Sequence, residues 1–185
     1  MDNIVVGFSK PINRSWPFGY VFSWAIRIME NTEYSHAYIQ WSSDWLERDI
    51  IYEASGSTVH FVVGHKFEKT AKTVFKYEIE CSSEAKAKII RKAMDYSNDP
   101  YGIKQVFGIL IVRIARVFEK DIKNPFSDGN ATWICSEIVM DLLEELGIDL
   151  SINQDNISPR DIQNFLENNK QSEKNTGSKI KSITV

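Results

Sequence analysis

"SHAYIQWSSDWLERDIIYEASGSTVHFVV", residues 35–63, reads as three strands: 35–41, 49–55 and 57–63. Each run is rich in β-branched or aromatic residues, and the first two alternate. The connections "SSDWLERD" and "ASGS" are too short to hold a crossover helix, so neighbouring strands must run antiparallel. Two residues here are unusual for a half-buried sheet: His36 opens the first strand, and Glu53 sits inside the apolar run "IIYEAS", with Tyr52 and Ala54 on the opposite face.

Working outward, "NIVVGF" at 3–8 and "KTVFKYEIE" at 72–80 supply two more strands. "FGYVFSWAIRIME" at 18–30 has the period of a helix. Later segments turn helical: "SEAKAKIIRKAMDYS" behind a Ser82 or Ser83 cap, a stretch from Tyr101 to Phe118, and "TWICSEIVMDLLEELG" at 132–147. In the last, Thr132 is the expected cap and Gly147 the stop. "SPRDIQNFLEN" closes the series, with Ser158 as cap, Pro159 at the first helical position and Asp161 in the first turn. Residues 119–132, with Pro125 and Gly129, are expected to form an irregular loop. The polar segment 169–185 is expected to be a disordered tail after a domain spanning 1–168.

With 22 basic against 25 acidic residues the formal charge is −3, which gives no electrostatic case for a nucleic-acid partner. Two cysteines, Cys81 and Cys135, lie too far apart for a metal motif and are too few for a disulfide scaffold. Reduced thiols suit a cytoplasmic setting, and "MDNIVVGFSK" does not resemble a cleaved secretory signal. The longest apolar stretch, 102–118, is interrupted by Lys104, Arg113 and Arg116, so no transmembrane segment is expected. A soluble helix buried on most of its circumference is the first expectation there, with an interfacial amphipathic helix as the alternative. Oligomeric state is open.

Cys135 is expected about one turn inside its helix, where free N–H groups and the dipole favour a thiolate and can stabilise an oxyanion. Flanked by Trp133, Ile134, Ile138 and Val139, it also fits the description of a small buried hydrophobe. Cys81, at a strand–helix junction, is the weaker nucleophile. A thiol needs a base, for which His36, His60 and His65 are candidates, His36 leading. Glu53, in the strand after His36, is the candidate to orient the ring. The five tryptophans are read first as core residues, with roles in a cleft left open.

With "YSHAYIQW" around His36, "IYEAS" around Glu53, "DPYG" at 99–102 and "TWICSEIVMDLLEELGI" around Cys135, the chain resembles the permuted branch of the papain-like cysteine hydrolases. These are the rearranged relatives of the NlpC/P60 peptidases that include YiiX-like proteins and, more distantly, the lecithin:retinol acyltransferase group. The histidine strand there precedes the cysteine helix. The resemblance implies an α+β, circularly permuted papain-like fold in which an antiparallel sheet packs against helices. It implies Cys135 as nucleophile, His36 as base and Glu53 as orienting group, with no cofactor and no metal. Tyr101 is expected to line the cleft, and Trp133 to contact substrate. Many relatives open with a Gly-Asp strand, which is lacking in "NIVVGFSKP"; Ser9 is then a candidate for a positioning contact.

The expected activity is therefore thiol-dependent cleavage of an amide, in a peptide, isopeptide or cell-wall peptide, through an acyl-enzyme. A lipid acyl hydrolase or acyltransferase is the alternative, and a catalytically silent binding module the competitor from another class. A metal site built from His36, His60 and Glu53 would need both histidines to face one another across strands.

Overall fold

The computed structural model describes residues 2–12, 17–120, 122–123, 125–126, 132–150, 152, 157–170 and 179–183. It is an α+β fold, a six-stranded antiparallel sheet packed against several helices. The strands are β1 (Asp2–Pro11), β2 (His36–Ser43), β3 (Arg48–Ser55), β4 (Thr58–Val63), β5 (Ala71–Cys81) and β6 (Ile180–Ile183), in the spatial order β4-β3-β2-β1-β5-β6. The helices are α1 (Pro17–Glu30), α2 (Gly64–Phe67), α3 (Ser83–Asp95), α4 (Ile103–Val117), α5 (Cys135–Glu144) and α6 (Pro159–Asn168).

The period-2 pattern of the strands assigns the two faces of the sheet. Ile4, Val6 and Phe8 of β1, Ala37, Ile39 and Trp41 of β2, and Tyr52 and Ala54 of β3 enter one core with Ile89 and Ala93 of α3 and Ile138, Leu142 and Leu143 of α5. The opposite face carries a smaller cluster, Tyr38, Ile51 and Phe67, together with His36, Glu53 and His60. Gly7 has a specific reason to be glycine. A Cβ there would lie 2.1 Å from Cζ of Tyr38, its partner across the β1–β2 ladder.

Caps mark several helix starts. Ser82 Oγ accepts from the Ala85 N–H, and Ser158 Oγ from Asp161, whose carboxylate accepts the Ser158 N–H in return. Ion pairs tie helices together. Lys92 reaches Asp141 (2.9 Å) and Glu145 (3.0 Å), joining α3 to the α5 end of the core. Arg113 of α4 reaches Glu30 of α1 (3.2 Å) and Asp161 of α6 (2.8 Å).

Three expectations are corrected. The helix bearing the cysteine begins at Cys135 and not at Thr132, because residues 132–134 are tied elsewhere: Trp133 forms a bridge with Tyr101 and is held by hydrogen bonds from its N–H to Pro100 and from the Gly102 N–H to its carbonyl, and Ile134 is extended. The segment 169–185 is not disordered throughout. Residues 180–183 add β6 to the edge of β5, and Ile180 is buried in the main core, so the pairing and one apolar anchor outweigh a polar composition. Residues 171–178 and 184–185 of that segment, and residues 121, 124 and 127–131 of the loop around Gly129, lie outside the described residues. The helix at 102–118 is not buried on most of its circumference, since Ile103, Phe107, Ile114 and Phe118 are all more than two-fifths exposed. Among the described residues, no helix is long and apolar enough to cross a membrane.

Candidate functional site

His36, Glu53 and His60 meet on the second face of the sheet. His36 Nε2 lies 2.6 Å from Glu53 Oε2, and His60 Nε2 lies 3.5 Å from Glu53 Oε1, so one carboxylate is bracketed by two imidazoles. The register makes this possible. The turn at Gly56, with φ +66, pairs Ser55 with Thr58 and therefore Glu53 with His60 directly across β3 and β4. His60 Nδ1 is 3.1 Å from the Thr58 carbonyl, which fixes the ring from its other side.

Cys135 lies close enough to His36 to act on its charge. With Nε2 engaged by Glu53, Nδ1 is the ring nitrogen left over. Burial disfavours the charged imidazole, but the polar partners Cys135 and Glu53, which accept from its ring, and the charges of both outweigh it, and the pKa of His36 rises to about 10. Burial likewise disfavours the Glu53 carboxylate, yet its bonds with His36 and then His60 hold it down at about 2. His60 is raised by its hydrogen bond with Glu53, against partial burial.

Cys135 is the first residue of α5, and Ile138 is the first of that helix seen to donate within it, to the Ile134 carbonyl. Glu137 reaches back to accept the Ile134 N–H at 3.0 Å, fixing the entry to the helix. The "DPYG" segment forms the other clamp: the Val59 N–H donates to Asp99, the Tyr101 N–H to Ser57, and the Trp133 indole to Asp99 at 3.1 Å. The β3–β4 hairpin, Tyr101 and the approach to Cys135 are thereby laced into one unit. Cys81 is different. It belongs to the main hydrophobic core, which Cys135 does not join, and burial pushes its thiol up.

Beside these residues lies a cavity of about 380 Å³. Ser9, His36, Glu53 and Tyr101 line it, with Tyr20, Phe22 and Ile26 from α1 and Ile103 and Val106 from α4. Ser9 Oγ is buried and makes no hydrogen bond, a polar atom on the cavity wall with capacity to spare. The Tyr101 hydroxyl is pushed well above its ordinary range by burial and then by the nearby Cys135 and Glu53. Cys135 itself is only 6 % exposed and is not among the lining residues; it borders the cavity through His36.

The structure thus joins His36 to Glu53, with Cys135 near His36, and puts Ser9 and Tyr101 on the wall. Trp133 is not among the cavity-lining residues; its indole packs on Tyr96 at 4.7 Å. Trp24 and Trp45 are exposed rather than core, and Trp16 lies outside the described residues. His65 falls on the short α2. Both histidines near Glu53 direct Nε2 at its oxygens rather than at a shared point. No group of three or more His, Cys, Asp or Glu side chains among the described residues is arranged to hold a metal ion. Sequence reasoning missed His60 as the second partner of Glu53, and the contribution of α1 to the cavity.

A scan against protein-family models finds no match, and a search of the curated proteins finds none either.

Proposed function

We propose that this chain is a thiol-dependent acyl hydrolase with a permuted papain-like arrangement, using Cys135 as nucleophile, His36 as base and Glu53 as orienting group. The observation that carries this reading is the 2.6 Å contact of His36 with Glu53, with Cys135 near enough to His36 to raise its pKa. His36 takes the thiol proton on the nitrogen that Glu53 leaves free. The sulfur adds to a carbonyl carbon, and the oxyanion is met by N–H groups of the first turn of α5. Collapse breaks the bond to the amine or alcohol, which leaves with the proton from His36 and a thioester on Cys135. Water, deprotonated by His36, then releases the acid and restores the thiol.

The substrate is an amide or an ester. The apolar wall made by Phe22, Ile26, Ile103 and Val106 favours an acyl chain over a charged peptide. A second reading, a binding module without turnover, is favoured by the burial of Cys135 and its place behind the wall. The two separate on intact-mass spectrometry after incubation with activated acyl esters of increasing chain length. The hydrolase reading predicts an acyl adduct mapping to Cys135 and absent from Cys135→Ser. Wild-type protein that gains no adduct, or gains it elsewhere, supports the binding module.

A further inference from the structure

We propose that the outer faces of α1 and α4 form a docking surface for an anionic lipid bilayer. Val21, Trp24 and Ile28 recur at helical spacing along α1 and are 58, 54 and 58 % exposed. Phe107, Ile114 and Phe118 do the same along α4 and just past its end, at 48, 50 and 71 %. The two helices pack side by side, with Phe22 and Phe107 rings 6.0 Å apart, so the stripes belong to neighbouring elements. Isolated exposed apolar residues need no explanation; two adjacent helical stripes do.

Charge selects the occupant. Within α1 and α4 the basic residues are Arg27, Lys104, Arg113 and Arg116, and the single acidic residue is Glu30, although the whole chain carries −3. Glu30 is buried and paired with Arg113, so it presents no negative charge beside the stripes. Lys104 is exposed on α4; just beyond it the exposed Lys120 and Lys123 are offset in the sequence by Glu119 and Asp121, so the basic excess comes from Arg27, Lys104, Arg113 and Arg116 within the helices. An apolar strip with aromatic members, in a segment where basic residues outnumber acidic ones, is the pattern of a helix lying in a membrane interface. A second copy of this chain would bring the same basic flank against itself.

The same two helices contribute Phe22, Ile26, Ile103 and Val106 to the cavity beside His36. Docking therefore sets that cavity against the lipid, and its consequence, that the acyl group comes from a membrane lipid, rests on the hydrolase reading above.

The test uses the 185-residue chain carrying Cys135→Ser, which removes turnover, in co-sedimentation with vesicles of phosphatidylcholine alone or mixed with phosphatidylserine. The expected result is binding to the mixed vesicles that weakens with added salt. Trp24→Ser combined with Phe118→Ser should weaken it at least about tenfold with the melting temperature unchanged. The proposal is overturned if the folded protein pellets with neither vesicle, or if the double substitution leaves binding intact. It is equally overturned if the protein is a dimer that this substitution dissociates. Fatty-acid release by the wild-type chain then tests the consequence: binding without release supports docking and overturns the lipid assignment.

Discussion

Replacing Glu53 by Gln keeps the shape of the side chain and removes the charge shared by His36 and His60. In place of a carboxylate with one oxygen toward each ring, one histidine faces an amide NH₂. The depression of the Glu53 pKa from an ordinary 4.5 to about 2 corresponds to about 3 kcal/mol. The side chain is about 10 % exposed, so solvent screens little of it. The rise of His36 from 6.5 to about 10 would convert to about 5 kcal/mol, but it includes Cys135 and describes the same contact, so the two are not added and the smaller is the better guide. The signs set the pH window. A depressed carboxylate contributes stability above 4.5 and loses it as pH falls through about 2; a raised histidine contributes fully below 6.5 and loses it as pH rises through about 10. The pair is therefore at full strength between pH 4.5 and 6.5. Urea denaturation of wild type and Glu53→Gln should differ by about 3 kcal/mol in that window, and by much less above about pH 10. A difference below about 1 kcal/mol, or one independent of pH, would refute the charged-pair reasoning.

His60→Ala should lower stability by about 1 kcal/mol or less, because His60 is partly exposed. It should also move the acid limb of unfolding to higher pH, since Glu53 loses one of the two partners that depress it; an unmoved acid limb would show that His60 does not act on Glu53. Gly7→Ala should destabilise by about 1–3 kcal/mol in thermal or urea melts, as the Tyr38 ring cannot yield that space without leaving its pocket. Ile180→Ala should cost at least about 2 kcal/mol and increase amide exchange along β6; a neutral result would return this segment to the status of a loose tail.

Much of the sheet was legible because short connections and period-2 alternation leave few other folds for residues 35–63. The faces followed too: Tyr52 and Ala54 enter the core and Glu53 turns away. His60 was also within reach, since a two-residue turn at Gly56 forces it opposite Glu53, but the register had to be counted to see it. Other features depend on tertiary contacts that no local pattern reports. Thr132 looks like a cap, yet the pairing of Trp133 with Tyr101 holds that stretch out of the helix until Cys135. The polar end of the chain gives little sign that Ile180 will find the edge of β5. The apolar run of α4 implies burial by composition, whereas only its inner face is covered.

The central claim is that Cys135 works as a thiolate against His36, and alkylation by iodoacetamide as a function of pH tests it most directly, in wild type, His36→Ala and Cys81→Ser. Wild type and Cys81→Ser should both label at Cys135 rapidly at neutral pH. His36→Ala should label there only as pH rises into the range of an ordinary thiol. A Cys135 that stays inert in the folded protein, or whose profile ignores the loss of His36, would contradict the account.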